Sequence, residues 1–133
     1  MADSNQIIQS FIAGATITEF ALVSLDANGK VQVTAIGTDK TCVGIAQRAA
    51  SAGDPVDVVT FGLSRAIAGN AITPVGVGAE PRLKCVPAAT GRVEAVATGD
   101  CAVCRMISNI YQKSAAAGDQ ILVMFHGPIV VEP

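Results

Sequence analysis

The sequence predicts an all-β fold, built as a small barrel or sandwich with short hairpins. Turn signals rich in Gly, Asn and Asp recur at short intervals, and the segments between them are rich in Val, Ile and Thr. Such spacing favours a barrel or sandwich over alternating strands and helices. A repeat points the same way, because Ile45–Gly62 (IAQRAASAGDPVDVVTFG) matches Ile110–Gly127 (IYQKSAAAGDQILVMFHG) 65 positions later. A repeat of this kind is typical of one supersecondary unit used twice around a shared core.

Residues 1–14 form an N-terminal arm in this interpretation, and residues 15–133 form a single β domain that contains the repeat (45–62 and 110–127). Two conformations are compatible with the arm. Ser4 is a suitable cap for a short helix that carries Ile7, Ile8 and Phe11 on one face. An extended arm is the equal alternative. In either conformation the three apolar side chains are candidates for contacting a partner.

Two hairpins are predicted downstream. The first joins Ala15–Leu25 to Lys30–Ala35 across the sequence DANG, where Asn-Gly supplies the positive φ angles of a tight turn. The second joins Leu83–Val86 to Arg92–Ala97 across Thr90-Gly91. Both predictions depend on β-rich segments that flank a turn signal.

The two copies of the repeat differ on one face of their strand. Side chains of a strand alternate between faces, so Asp57 of the first copy corresponds to Leu122 of the second. Leu122, Met124 and His126 then share a face, which makes the second strand apolar on both sides. We therefore expect Leu122 and Met124 at or near a subunit interface.

Composition restricts the class of partner. The chain has 133 residues, of which 50% are hydrophobic and only 15% charged, with a net charge of −2. A surface this poor in charge predicts self-association. The absence of a basic run argues against nucleic acid. The opening MADSNQ has no signal-peptide pattern, and no apolar run approaches the length of a membrane span, so neither export nor a membrane is expected.

Two of the four cysteines have the spacing of a metal or redox site. Cys101 and Cys104 form a C-x-x-C pair that Cys42 and Cys85 would complete to four ligands. The pair lies in a segment that reads as strand, without the Gly or Pro of a zinc knuckle and without a βαβ setting. Buried reduced thiols are the preferred interpretation, with no metal and no cofactor.

A hydrolase is the enzymatic alternative. Gly62-Leu-Ser64-Arg-Ala66 resembles a nucleophile elbow that lacks its second glycine, and His126 is the only histidine of the chain. Such a triad would draw its acid from Asp54, Asp57 or Asp119. Gly76-Val-Gly78 lacks the third glycine and following helix of a phosphate-binding turn. We expect no enzyme activity.

Several short motifs together resemble those of small bacteriophage capsid decoration, or cement, proteins. The motifs are Val43-Gly44-Ile45-Ala46-Gln47, Ala52-Gly53-Asp54, Val56-Asp57-Val58-Val59 and Gly62. The resemblance extends to the first hairpin, the Gly91 turn and the second Ala-Gly-Asp, and so covers most of the chain. It implies a compact β-barrel of the β-tulip-like type that assembles on the outside of an icosahedral head and has no catalytic residues.

The function expected from this resemblance is structural. The protein would be made in the host cytoplasm and become part of the virion, on the outer capsid surface, where it cements neighbouring major capsid protein subunits. Self-association as a homotrimer is preferred, with a homodimer as the alternative. Ile7, Ile8 and Phe11 are the expected capsid contacts. Another phage head or tail structural component is the alternative function.

Overall fold

The computed structural model describes residues 6–35, 41–72, 82–85, 90–96, 101–107 and 115–130. These residues form antiparallel strands and no α-helix, so the predicted all-β class is confirmed. The strands are β1 (Gln6–Ile12), β2 (Leu22–Leu25), β3 (Val31–Val33), β4 (Cys42–Ala46), β5 (Pro55–Ile67), β6 (Arg82–Cys85), β7 (Val93–Ala95), β8 (Cys101–Met106) and β9 (Gln120–Val130). None of these ranges provides a helix that could cross a membrane.

The strand order is symmetric about the β5–β9 pair. It runs β3-β2-β4-β5-β9-β8-β6-β7, and β1 pairs with β5. The first half therefore contains β1 to β4 with the beginning of β5, and the second contains the end of β5 with β6 to β9. In each half the sheet curls until a parallel bridge joins its first and third strands, at Ala13–Val31 and at Ala68–Val93. The result is two barrel-like units that share one long strand.

Backbone hydrogen bonds repeat between the halves. Ala13 donates to the Asp54 carbonyl at 2.9 Å, and Ala68 donates to the Asp119 carbonyl at the same distance. The reciprocal bonds between Ile17 and Ala50 likewise recur between Ile72 and Ala115. Glycines with positive φ also fall into corresponding pairs, which are Gly29 with Gly91, Gly53 with Gly118 and Gly62 with Gly127.

The sequence repeat is thus part of a larger structural repeat, but its register holds only from the Ala-Gly-Asp turn onward. Gln47 and Ile107 play the same role, because each donates a 2.9 Å backbone bond, to the Asp57 and Leu122 carbonyls respectively. The structural counterpart of Ile45 is therefore Arg105 and not Ile110, which lies outside the described residues. The chain has five more residues between Ile107 and the second Ala-Gly-Asp turn than between Gln47 and the first. Before the turn, the sequence match therefore does not coincide with the structural match.

Each half has its own buried cluster. Val23, Val31, Val56 and Val58 form the centre of the first, and the corresponding Leu83, Val93, Ile121 and Val123 belong to the second. The second cluster is larger because Leu22 and Ile45 of the first half also pack into it. A hydrogen bond of 2.9 Å from the Leu22 amide to the Gly91 carbonyl joins the halves at the same place.

Both hairpins are confirmed, although their strands are shorter than predicted. Val23 pairs with Val33, and Leu83 pairs with Ala95. Asp26 Oδ1 accepts backbone hydrogen bonds from Asn28 and Lys30, which fixes the first turn. Within the predicted first strand, residues 15–21 are not strand apart from the isolated bridge at Ile17, and Phe20 has a φ of 61° that interrupts extended geometry.

The described part of the chain begins and ends in a strand, β1 and β9. The helix considered for the N-terminal arm is wrong, because Gln6–Ile12 is a strand that pairs with Pro55–Gly62 of β5. Its isoleucines at adjacent positions suit a strand better than a helix. At the C-terminal end, β9 continues through Val130, which pairs with Cys101 of β8. Residues 131–133, and Gly76 and Gly78, lie outside the described residues.

Candidate interaction surface

An exposed apolar area lies where β1 meets β5. Ile7 is 56% exposed, its cross-strand partner Phe61 is 51% exposed, and the neighbouring Ile8 is 49% exposed. Solvent exposure of three large apolar side chains at one place is unusual for a small monomeric protein. We call Ile7, Ile8 and Phe61 the apolar end.

Of the three predicted capsid contacts, two are exposed and the third is partly buried. Ile7 and Ile8 are exposed, but Phe11 is only partly accessible because it packs against the buried cluster of the first half. Phe11 lies opposite Val56, whose side chain points into that cluster. Phe61 takes its place at the surface. Phe61 was not predicted from the sequence, because no local pattern indicated that it would be uncovered there.

The same surface continues across the second half along a row of paired residues. Leu63 pairs with Met124, Met124 pairs with Arg105, and Arg105 pairs with Arg82, so the row crosses β5, β9, β8 and β6. Directly paired residues of antiparallel strands lie on the same face. Phe61 and Leu63 flank Gly62 on β5, so the apolar end is next to this row along the strand.

The first half contains a corresponding row, most of which is buried. Ile8, Val59, Ile45 and Leu22 are paired in the same sequence across β1, β5, β4 and β2. Val59, Ile45 and Leu22 are completely buried, and Ile45 and Leu22 pack into the hydrophobic cluster of the second half. In the second half the equivalent positions are half-buried or exposed.

Arginines occupy the uncovered row. Arg82 and Arg105 occupy the positions where the first half has Leu22 and Ile45, and Arg65 lies opposite Leu122 two pairs beyond Leu63–Met124 on β5 and β9. All three are exposed. Lys84 on the same strand as Arg82 is balanced by Glu94 at 3.1 Å, whereas the three arginines form no ion pair within the described parts of the chain. We call Leu63, Arg65, Arg82, Arg105, Leu122 and Met124 the arginine face.

Leu122 and Met124, the predicted subunit-interface residues, are brought together on this face. Both are half-buried, while Ile121, Val123 and Phe125 on the opposite side of β9 are buried in the second core. The alternation predicted for the strand is therefore present. The arginines around the two side chains were missed, because Arg65, Arg82 and Arg105 belong to three strands whose pairing the sequence does not reveal.

The residues considered for a hydrolase are not brought together. Ser64 lies on the inner face of β5, is 4% exposed, and pairs with Val123. Its hydroxyl accepts a 3.0 Å hydrogen bond from Gln47 Nε2 and donates one to the Arg65 carbonyl. His126 lies on the outer face of β9, with Nδ1 2.7 Å from the Gly127 carbonyl oxygen. Asp54 and Asp119 accept backbone hydrogen bonds in their turns, from Ser51 and Ala116.

All four cysteines are buried and reduced, and Cys42, Cys85 and Cys104 belong to the second core. Cys101 and Cys104 lie on β8 as predicted, but a register shift between Ala102 and Cys104 lets both side chains be buried. Within the described ranges no three Cys, His, Asp or Glu side chains are grouped as metal ligands. Burial raises the pKa of Cys42 to about 12 and also raises the pKa of Cys104.

The thiols should be unreactive in the native protein. A neutral thiol is a poor nucleophile, and the raised pKa keeps Cys42 neutral at pH 8. We expect a thiol-reactive disulfide reagent to modify the four cysteines only at the rate of unfolding, and to modify all four at once in denaturant. Native labelling as fast as that of a cysteine peptide would contradict the burial.

The raised pKa of Cys42 determines the direction in which the stability of the protein changes with pH. Unfolded cysteine ionises above its ordinary value of 9.0, whereas folded Cys42 holds its proton to about pH 12. Stability is therefore retained below pH 9 and falls as the pH rises through this window, because the unfolded state releases protons there. Urea titrations at pH 8 and 10 should show a smaller decrease for Cys42→Ala than for the wild-type chain.

Comparison with known proteins identifies one informative fold neighbour. No protein-family model and no curated protein matches the sequence. The structure is similar to the crystal structure of the head fiber gp8.5 N base in bacteriophage phi29, with a TM-score of 0.65 and 12% sequence identity. The similarity covers 93% of this chain and 98% of that chain. It therefore extends over both halves and supports the barrel-like fold as a whole.

Proposed function

We propose that this protein is a structural component of a bacteriophage head, carried on the outer surface of the virion. The observation that carries the proposal is the fold similarity to a phage head fiber base over nearly the whole length of both chains. Motifs that resemble those of phage decoration proteins support it independently. The role is assembly and not catalysis, in agreement with the separation of Ser64 from His126.

Attachment through the apolar end fits this role. Ile7 and Ile8 lie on β1, which has no charged residue, and Phe61 lies opposite Ile7 on β5. Burial of these exposed side chains against the major capsid protein would contribute about 25 cal/mol for each Å² removed from water. Contacts of this kind, repeated over a lattice, give stable attachment without a deep pocket. Within this proposal the protein cements neighbouring capsid subunits, as a homotrimer or alternatively as a homodimer.

A fiber base is the second candidate, favoured by the same fold neighbour. The two roles differ in copy number. Cementing requires the chain at most lattice positions, which amounts to hundreds of copies per particle, whereas a base that carries an appendage occupies fewer symmetry-related sites. Quantitative mass spectrometry of purified virions separates them.

Binding to heads tests the proposal directly. Heads are prepared from the encoding phage after deletion of this gene, mixed with purified protein, and sedimented. We expect saturable binding by the wild-type chain, and binding weakened about 10-fold by Ile7→Ser with Ile8→Ser, since two apolar contacts are lost. Gln9→Ser in the same strand is the matched control and should bind like wild type. Failure of the wild-type chain to bind these heads would overturn the proposed function.

A further inference from the structure

The arginine face carries more positive charge than folding of the chain requires. Arg82 and Arg105 are directly paired on neighbouring strands, and like charges in that position destabilise a sheet. The protein nevertheless has a net charge of −2 and only five arginines, three of which lie on this face. No acidic side chain is paired with any of the three in the described segments. The folded monomer therefore retains an unfavourable arrangement of charge here.

The difference in burial between the two halves explains part of this arrangement of charge. In the first half the equivalent row is apolar and most of it is buried. In the second half the equivalent row is not covered by the described residues, and polar residues suit such uncovered positions, as in the terminal units of repeat proteins. Uncharged polar residues or alternating charges would meet that need with less repulsion. Three arginines of one sign indicate a ligand of opposite charge.

The apolar members of the face restrict the class of ligand. Leu63, Leu122 and Met124 lie among the arginines and are only half-buried. Arg and Met next to apolar side chains are characteristic of protein interfaces, whereas a surface that binds nucleic-acid phosphates is dominated by cations. A symmetric contact between two copies through this face would bring six arginines together, which disfavours the subunit interface predicted for Leu122 and Met124. These features together describe a docking site for another protein.

We propose that the arginine face docks an acidic, partly apolar protein surface of the phage head. The inference rests on the proposed function for the location of its partner. The arginines would pair with carboxylates, while Leu63, Leu122 and Met124 would lose their remaining exposure to water. The face adjoins the apolar end along β5, so a single partner surface can engage both.

The experiment uses two variants with equal net charge. The face variant is R65Q/R82Q/R105Q, and the control variant is K30Q/R48Q/R92Q, whose exposed cations lie elsewhere. Each changes the net charge from −2 to −5, because three cations are removed. Both should fold, and the face variant should melt at least as high as wild type, since the paired like charges are gone.

Sedimentation with the gene-deleted heads supplies the main measurement. We expect the face variant to bind about 100-fold more weakly than wild type and the control variant within about threefold. Added salt should weaken wild-type binding more steeply than binding of the face variant. Equal binding by wild type and face variant would overturn this inference while leaving the proposed function intact. Absence of wild-type binding would overturn both.

Two further measurements exclude other partners. Analytical ultracentrifugation compares the masses of wild type and face variant, and an oligomer lost only in the face variant would overturn the inference in favour of a second copy. Titration with a double-stranded DNA fragment is the other measurement. Binding that is lost in the face variant would overturn it in favour of nucleic acid. We expect unchanged mass and no DNA binding at physiological salt.

Discussion

Replacement of Gly44 by alanine is expected to cost about 3 kcal/mol of the free energy of unfolding, because strands β4 and β5 approach too closely for a side chain. A methyl group on Gly44 would lie 2.2 Å from the Val59 carbonyl oxygen and 2.5 Å from Val58 Cγ1. Neither atom belongs to a flexible side-chain end, since one is backbone and the other is completely buried. The strands would have to separate, which would disturb the buried row beside them.

Gly53→Ala is the matched control for this substitution. Gly53 has a φ of 91°, which alanine adopts with a strain of about 1 to 2 kcal/mol, but a methyl group there would meet no described atom within 4 Å. Urea denaturation of both variants measures the difference. A cost at Gly44 no larger than at Gly53 would mean that the strands tolerate separation and that the close approach is unimportant.

Phe125→Ala should cost about 4 kcal/mol, within the range for removal of a buried phenylalanine from a core. Phe125 is 1% exposed and is one of the largest side chains in the second cluster. Its neighbours are held by two paired strands, so the cavity that remains can collapse only in part. Thermal and urea denaturation should both show the loss.

Phe61 provides the comparison within the same chain. It is 51% exposed and lies next to Gly62, which pairs with Phe125 across β5 and β9. Phe61→Ala should change the stability of the monomer by less than about 1 kcal/mol, as expected for a surface substitution. A cost similar to that of Phe125→Ala, increasing with protein concentration, would show instead that Phe61 is buried in an oligomer.

The strand-forming segments and their turns were predictable because they depend on local patterns. Asn-Gly at residues 28–29, the alternation of Ile121, Val123 and Phe125, and the Ala-Gly-Asp turns each act within a few residues. The all-β class followed from their spacing. The C-x-x-C pair was also placed correctly on a strand, since no turn residue separates the cysteines.

Long-range pairing was not predictable from one sequence. The spacing between corresponding residues changes along the structural repeat, because loops of unequal length separate the strands. Only the turn and the last strand of each half therefore remained recognisable. The role of Gly44 shows the same limit. It belongs to a recognised motif, but the reason for a glycine there lies 14 or 15 residues further on, at Val58 and Val59.

The arginine face was the least predictable feature. Arg65, Arg82 and Arg105 lie on separate strands, and their separation in sequence gives no indication that they converge. The relevant signal is visible only when the halves are superimposed by their hydrogen bonds. Leu22 and Ile45 then correspond to Arg82 and Arg105, and a buried row in one half becomes a charged one in the other.

The shared strand β5 has a consequence for how the molecule folds. Pro55–Gly62 completes the first half and Gly62–Ile67 begins the second, so neither half can be excised without removing a strand from the other. Loss of order in β5 would expose both hydrophobic clusters at the same moment. The chain is therefore one cooperative folding unit despite its two cores, and its unfolding is expected to follow a two-state transition.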